Sequence, residues 1–170
     1  MKPLYESILK STNSGIYAIG ETIYNKLLNG EKLTVRELKW INTNVGVFKV
    51  NREQLINLIN KLKMHNISLN WLDVSNITNM NDMFAHLDFN GDISKWDVRK
   101  VSDMSYMFYK SKFNGNISKW DVRNVINMRS MFAYSEFNMD ISNWEIHPKS
   151  VTYDMFFSCP IEAKYKPKKL

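Results

Sequence analysis

The large apolar residues in the second half of the chain follow neither a helical period nor a strand alternation. The segment WDVRNVINMRSMF, residues 120–132, places Trp, Val, Met and Phe at offsets that fit no single helix or strand face. A step of 24 residues nevertheless relates this segment to WDVRKVSDMSYMF at residues 96–108. The same step connects four pairs, which are Met83-Phe84, Met107-Phe108, Met131-Phe132 and Met155-Phe156. The hydrophobic pattern therefore belongs to a repeated unit.

The step of 24 residues aligns several further apolar columns. A fixed period in the twenties is typical of repeat arrays in which each copy forms one coil and stacks on its neighbours. One coil cannot bury its apolar set alone, so the pattern predicts a solenoid of 24-residue coils with a shared interior. The inward columns are Val74, Val98, Val122 and Ile146; Ile77, Val101 and Val125; Met80, Met104 and Met128; Phe89, Phe113 and Phe137; Ile93, Ile117 and Ile141; and Leu72, Trp96, Trp120 and Trp144.

Polar residues recur at the same step. An acidic residue follows each Trp slot, and a carboxylate or amide at a fixed corner can accept a hydrogen bond from the backbone N–H two residues on. Because such residues occur in every copy, we interpret them as structural and not as paired catalytic acids. The recurring polar columns are Asp73, Asp97, Asp121 and Glu145; Asn90, Asn114 and Asn138; and Ser94, Ser118 and Ser142.

The ends of the chain differ from the repeats. Residues 1–65 are predicted to form a mainly helical N-terminal cap, and residues 66–158 hold three full copies and a degenerate fourth. In the fourth copy, Pro148 and Pro160 cannot donate backbone hydrogen bonds, which indicates a C-terminal cap. Residues 159–170 form a basic tail that we expect to be solvated. These elements together predict an α+β repeat protein.

Helix signals in the cap region have unequal strength. Asn51 and Gln54 form a predicted capping box, and Thr34 and Glu37 form a second one before LKWI. Residues 3–10 and 21–28 are weaker helical segments, and Gly30 is a natural stop. The helix after Asn51 has one apolar face, which we expect to pack on the first coil and which contains Leu55, Leu58, Ile59 and Leu62.

The charge distribution argues against nucleic acid as the main partner. The net charge of +6 divides into +5 for residues 1–70, −2 for residues 71–160 and +3 for residues 161–170. A nucleic-acid groove would concentrate Lys and Arg along one surface, whereas here the repeats are nearly neutral. The sequence has no apolar run of membrane-spanning length and no uninterrupted signal-peptide core near Glu6 and Lys10. We therefore expect a cytoplasmic protein, or a virion-associated one if a phage encodes it, and a cell-surface protein only if an export signal has been removed.

Residues suited to catalysis or metal binding are few and scattered. Cys159 is the only cysteine, which excludes an internal disulfide, and we expect it to be a buried, inert thiol. His65, His86 and His147 lie at unrelated offsets without partners at metal-ligand spacing. The sequence also lacks a Gly-rich phosphate loop and a nucleophile elbow. The prediction is a non-enzymatic protein without a cofactor or a bound metal.

The repeated unit W-D-V-x-x-V-x-x-M-x-x-M-F-x4-F-N-x-x-I-S resembles the BspA-like leucine-rich repeats. These are short lipoprotein-type repeats of Mycoplasma, Listeria and Bacteroidetes surface proteins, also found in phages. The resemblance covers about residues 66–158. It implies a right-handed leucine-rich-repeat-like solenoid with a short parallel strand in each coil, and a role in adhesion or protein binding without enzymatic activity. Unlike many members of that family, this chain shows neither an export signal nor a lipobox.

A partner-binding face is predicted beside the inward Met column. If Met80, Met104 and Met128 point inward from a strand, their neighbours point outward. Tyr106 and Arg129 are the expected anchors, because aromatic residues and Arg contribute disproportionately to interfaces. A merely solvated sheet face is the alternative. The candidate face consists of Asn79, Asn81, Asp82, Asp103, Ser105, Tyr106, Asn127, Arg129 and Ser130.

Three functions remain open from the sequence. The first is a small interaction protein that docks on another protein, for example as an inhibitor or a virion accessory component. The second is a surface or adhesion module whose export signal has been removed. The third is a nucleic-acid binder that uses the basic ends of the chain. The identity of a protein partner and the oligomeric state do not follow from the residues.

Overall fold

The computed structural model describes residues 2–62 and 66–168, with residues 2–14 described by their backbone alone. His65 lies outside the described residues, as does the end of the basic tail. Most of the described repeat region consists of turns and single-residue bridges. The helices and strands are α1 (Lys2–Leu28), α2 (Val35–Thr43), β1 (Phe48–Lys49), α3 (Arg52–Lys61) and β2 (Leu72–Asp73), and a 3-10 turn covers Ala163–Tyr165.

Two helices of the cap region begin at the predicted capping boxes, which the structure confirms. The Thr34 hydroxyl accepts from the Glu37 backbone N–H at 3.2 Å, and the Glu37 carboxylate accepts from the Thr34 N–H at 2.7 Å. Asn51 and Gln54 form the same reciprocal pair at 2.9 Å in both directions. Each box satisfies two N–H groups that have no partner within the helix. The apolar face of α3 is buried, as its spacing predicted.

Helix α1 is a single helix, whereas the sequence predicted two separate segments. The intervening residues STNSG have low helix propensity, and this suggested a break. The second half of the helix is held by packing, because Ile23, Tyr24 and Leu27 bury one face of it in the core. Lys26 forms a 2.7 Å ion pair with Glu37 of α2, and this contact contributes most to lowering the pKa of Glu37 to about 2.

The strand pair extends the 24-residue register into the cap region. Strand β1 pairs in parallel with β2, so that Phe48 faces Leu72 and Lys49 faces Asp73. Both pairs are 24 residues apart, which places β1 where a preceding copy would lie. Stacking therefore begins near residue 48 and not at residue 66. The β1 segment, VGVFKV, contains none of the Trp, Met-Phe or Asn signals of the repeat, and for that reason the sequence did not reveal it.

Successive copies lie side by side in register. Parallel bridges join Asn79 to Asp103, Asp103 to Asn127, and Asn127 to Val151. Each bridge spans 24 residues, so the four residues form one column. Each of these copies contributes one bridge residue here, in place of the short parallel strand that the family resemblance implied. The backbone after the bridge turns instead of remaining extended, and this limits the pairing to one position.

Apolar side chains form continuous columns through the layers. Phe84, Phe108, Phe132 and Phe156 stack with ring centroids 5.4, 5.5 and 5.6 Å apart and nearly parallel planes. The three aligned Trp residues are buried, and each indole N–H donates to a backbone carbonyl of the preceding layer. These bonds are Trp96 to Leu69, Trp120 to Ile93 and Trp144 to Ile117, at 2.9, 3.1 and 3.2 Å.

The Asp column accepts from the backbone N–H two residues on, as predicted, whereas in the Ser column the backbone N–H donates to the side chain two residues before it. Asp73 Oδ1 accepts from the backbone N–H of Ser75 at 2.9 Å, two residues on. The Asn column links the layers, because each Asn side chain accepts from the backbone N–H found 24 residues later. The acceptor and donor pairs are Asn66 and Asn90, Asn90 and Asn114, Asn114 and Asn138, and Asn138 and Glu162, at distances of 2.8 to 3.1 Å.

The basic tail is packed against the last layer, which corrects the expectation of a solvated segment. Ile161 and Pro167 are buried, and the Tyr165 carbonyl accepts from the Ile141 N–H at 3.0 Å. The Lys166 ammonium lies 5.4 Å from the Phe156 ring centroid, at the end of the Phe column. Charge alone indicated solvent, but Ile161, Tyr165 and Pro167 supply enough apolar surface for docking.

Trp71 provides a test of the Trp hydrogen bonds, because it is fully buried but lies one position out of register. Its Nε1 is a buried polar atom without a hydrogen-bond partner in the described part of the chain. We predict that Trp120→Phe destabilises the protein by about 0.5–1.5 kcal/mol more than Trp71→Phe, because only the former removes a buried hydrogen bond. The Ile93 carbonyl loses its bond from the indole and keeps the one from the Trp96 N–H. Urea unfolding of both variants measures the difference. Equal losses would contradict the role of the indole bonds.

Candidate functional site

The outer surface of each repeat is built from consecutive tight turns. In the first copy, Met83 N–H donates to Met80 O, Ala85 N–H to Asp82 O, and Leu87 N–H to Phe84 O. The first and third turns have a left-handed residue at their third position, as type II turns require. These left-handed residues have φ between 50° and 59°, and they are Asp82, His86, Tyr106, Lys110, Ser130, Tyr134, Asp154 and Ser158.

Hydrogen bonds between layers fix these turns in space. Met80 N–H donates to Asp103 O at 2.8 Å, and Met104 N–H donates to Asn127 O at 2.8 Å. Equivalent bonds start from every second residue of each turn segment. Four parallel hydrogen-bond columns thus cross the layers, and they hold the outward side chains at regular intervals.

Aromatic and cationic side chains concentrate on this surface. Tyr134, Tyr153 and Phe157 are 48%, 65% and 52% exposed, values that are high for aromatic residues in a folded protein. The core columns are complete without them. We name this surface the aromatic face, and it consists of His86, Tyr106, Tyr109, Lys110, Arg129, Tyr134, Tyr153 and Phe157.

The rings of the aromatic face contact one another edge to face across the layers. Tyr109 is central, with ring centroids 5.4 Å from His86, 5.6 Å from Tyr106 and 5.8 Å from Tyr134. Tyr134 continues the row to Phe157 at 5.3 Å. Edge-to-face contacts at these distances are favourable, so the rings are held in place before any partner binds.

Two cations lie over the rings. Arg129 lies 6.0 Å from the Tyr106 centroid and 5.8 Å from that of Tyr153, and Lys110 lies 5.3 Å from Tyr109 and 5.7 Å from Tyr134. Neither cation has an ion pair among the described residues. Each retains its full charge for an acidic group on a partner.

Two Arg residues on the Trp side of the repeats are paired with carboxylates. Arg99 and Arg123 form bidentate contacts at 2.7 and 2.8 Å with Asp97 and Asp121. The hydrogen bonds from Arg123 contribute most to lowering the pKa of Asp121 to about 2. These carboxylates already neutralise the two guanidinium groups, unlike Arg129 on the aromatic face.

Three of the predicted site residues shape the turns. Asn79 Oδ1 accepts from Asn81 N–H at 2.8 Å, and Asp103 Oδ1 accepts from Ser105 N–H at 2.8 Å. Asn127 Oδ1 accepts from Arg129 N–H at 3.2 Å. A side chain that accepts a bond two residues on stabilises a turn. These side chains therefore stabilise the turns that carry the aromatic face and are not part of that face.

Two further predicted residues are not on the surface. Ser105 and Ser130 are buried, contrary to the expectation that they point outward from a strand. The strict inside-outside alternation of a strand does not apply to consecutive turns. Asn81 is half-buried and donates to the Ser105 carbonyl and hydroxyl, whereas Asp82 is exposed.

Tyr106 and Arg129, the predicted anchors, lie together on the aromatic face. The sequence prediction missed His86, Lys110 and Tyr134 because it considered positions only as far as the Asp82 column. The sequence did contain a signal, because the residue type at two positions of the repeat changes from copy to copy. One position holds Ala85, Tyr109, Ala133 and Phe157, and the other holds His86, Lys110, Tyr134 and Ser158.

The cavity beside Trp144, the thiol of Cys159 and the acidic and histidine side chains give weaker indications of a functional site. A cavity of about 700 Å³ lies beside Trp144 and includes Glu145 and His147, but His147 Nδ1 already accepts from Lys149 N–H at 3.1 Å. Cys159 is half-buried, and burial raises the pKa of its thiol. Among residues 2–62 and 66–168, no group of three or more His, Cys, Asp or Glu is placed to hold a metal ion.

Sequence comparison places the chain in a family. The family model described as "Mycoplasma protein of unknown function, DUF285" matches residues 40–166, and the chain belongs to this family. The match begins within α2, upstream of β1, in agreement with the early start of the 24-residue register. No curated protein and no solved structure matches the chain. No helix in the described ranges has the length and apolar character needed to cross a membrane.

The left-handed turn positions lead to a stability prediction at Lys110, which is exposed and has a φ of 52°. Asn tolerates this conformation, whereas a β-branched residue does not. We predict that Lys110→Val is about 1–2 kcal/mol less stable than Lys110→Asn. Both variants lose the ammonium group, so the comparison isolates the backbone effect. Chemical denaturation provides the measurement, and indistinguishable midpoints would argue against the turn geometry.

Proposed function

We propose that the chain is a non-enzymatic protein-interaction module that binds another protein through the aromatic face. The observation that supports this most directly is the unbroken row of exposed rings that joins all four layers while contributing nothing to the buried columns. Tyr and Arg are enriched among the residues that dominate interface energies. Rings held by edge contacts also lose little side-chain entropy on binding.

We also propose that the stacked copies are BspA-like leucine-rich repeats that form a right-handed solenoid. The parallel bridges at 24-residue intervals and the stacked Phe and Trp columns support the stacking, and the family match supports the connection to Mycoplasma proteins. In repeat proteins of this kind, invariant inward positions maintain the array while variable outward positions determine the partner. The aromatic face occupies the variable positions.

The experiment that tests the interaction function uses substitutions taken from the neighbouring copies. Tyr106→Ser introduces the residue of the equivalent position Ser130, and Arg129→Ser introduces that of Ser105, so both fit their local turns. The tagged chain and the double variant are used to capture proteins from a lysate of the encoding organism. We expect partner recovery to fall by about 30-fold or more, which corresponds to the loss of a dominant contact of about 2 kcal/mol.

The matched control is Arg99→Ser with Arg123→Ser, which removes the same kind of charge from the Trp side and introduces the residue of Ser75. This variant should recover the same partners as the unmodified chain, because exposed ion pairs contribute little to stability. If the aromatic-face variant also recovers them equally well, the proposed face is wrong.

Two other functions lead to different measurements. A nucleic-acid binder would bind generic DNA or RNA with a strong dependence on salt. Docking of the tail through Tyr165 and Lys166 counts against this function, because it removes part of the basic segment from solution. A surface or adhesion module would require an export signal upstream of this sequence, which the full reading frame in the genome would reveal.

A further inference from the structure

The hydrogen-bond columns have a direction. In the first column, Met80 donates to Asp103 O, Met104 to Asn127 O, and Met128 to Val151 O, each at 2.8 Å. Every N–H of this column points toward the C-terminal layer, and the other three columns run the same way. Aligned peptide dipoles add together, as they do in a helix, so the C-terminal end of the columns is electropositive.

Each column ends in an N–H group of the last layer. By the 24-residue register, these groups belong to Thr152, Asp154, Phe156 and Ser158. None of the four has an acceptor within residues 2–62 and 66–168. We name them the open edge. The tail makes no hydrogen bond with this edge as far as Lys168, where its contacts include Asn138, Ile141 and the Phe156 ring.

The opposite end of the columns is covered at two of its four carbonyl acceptors. Arg52, the first residue of α3, donates to the carbonyls of Asn79 and Asn81 at 3.1 and 3.0 Å. A second copy would therefore have to displace Arg52 to join head to tail through all four columns. Two open edges cannot pair with each other either, because both present only donors. These constraints favour a different chain that supplies acceptors as the occupant of the open edge.

The surroundings of the edge favour an acidic occupant. Lys166 lies over the Phe156 ring, and Arg129 lies over the Tyr153 ring. Both cations lack ion pairs in the described chain, and Asp154 is the only acidic residue within the edge. Val151, Tyr153 and Phe157 are about half exposed or more and supply apolar contact beside the donors.

We propose that the open edge binds an extended acidic peptide segment of a partner protein. The carbonyl and carboxylate oxygens of the segment accept from the N–H groups of Thr152, Asp154, Phe156 and Ser158, and its apolar side chains contact Tyr153 and Phe157. This assignment rests on the proposed interaction function, since it names the class of partner. Edge addition of this kind provides affinity through the main chain and selectivity through the side chains.

The test uses amide NMR of the full chain with octaglutamate as the probe, since repulsion between its charges keeps this peptide extended. We expect the amide protons of the open edge to move downfield. Their hydrogen exchange should slow by about 100-fold when the peptide is present at about 100 times its Kd. The amides of Met80, Met104 and Met128 serve as internal controls, because they are already hydrogen-bonded.

Two variants address the charge argument. Asp154→Asn removes the one like charge while Asn still tolerates the left-handed φ of 54°, so it should bind octaglutamate several-fold more tightly. Lys166→Met keeps an apolar contact with Phe156 and should bind several-fold more weakly. Lys119→Met, at an exposed position beside Trp120, is the matched control and should bind as the unmodified chain does.

Four outcomes would overturn the assignment. These are no change at the four amides at millimolar peptide, an equal response to octalysine, tighter binding of an oligothymidylate than of octaglutamate, and amide shifts that depend on protein concentration alone. The third outcome would indicate nucleic acid and the fourth a second copy. None of these outcomes decides whether Tyr106 and Arg129 bind a partner, so failure at the edge is distinguishable from failure of the interaction function.

Discussion

The structure depends on one constraint, which is that each layer donates backbone hydrogen bonds to the next through consecutive turns. In a strand, the N–H and C=O groups of one residue point to the same side. Here the N–H groups of every second residue point to the following layer, and the C=O groups of the residues between them point to the preceding layer. This arrangement includes a left-handed residue in every second donor position, such as Asp82 and His86, at a backbone cost that the bonds and the stacked Phe rings offset. The layers are consequently rigid, directional and identical in spacing.

That rigidity separates the residues that build the array from those that are free to vary. Positions that point inward must stack on their own counterparts, so Phe84, Phe108 and Phe132 keep one identity. Outward positions contact solvent and differ between layers, as Ala85 and Tyr109 do at one position. A large ring at such a position contributes little to the core. Rings at two neighbouring positions nevertheless form one row across four adjacent layers, from His86 to Phe157, and this supports the proposed contact with a partner.

The repeat and its buried columns were predictable from the sequence, because hydrophobic residues at a fixed period have few alternative placements. The capping boxes were predictable for the same reason, since their chemistry is local. The left-handed turns were not predictable. Tyr106, Lys110 and Tyr134 occupy positions where Gly or Asn would have signalled a positive φ, and inter-layer bonds impose that conformation. Without the turns, the strand assumption placed Ser105 on the surface, whereas it is buried.

The two ends of the array also depend on backbone geometry that the sequence does not reveal. Pro160 was correctly interpreted as a missing donor, because Lys112 and Glu136 at equivalent positions donate to Leu87 and Ser111. That interpretation suggested a closed C-terminus, but the proline affects only one side of the coil. On the turn side, Thr152 and Asp154 have the same backbone as the inner layers and lack only a following layer. An array that repeats without closing must present unsatisfied donors at one end and acceptors at the other. Arg52 covers two of the four acceptors here, whereas all four groups at the donor end, next to the exposed rings of Tyr153 and Phe157, lack acceptors in the described chain, which is why the proposed partner segment is assigned to that end.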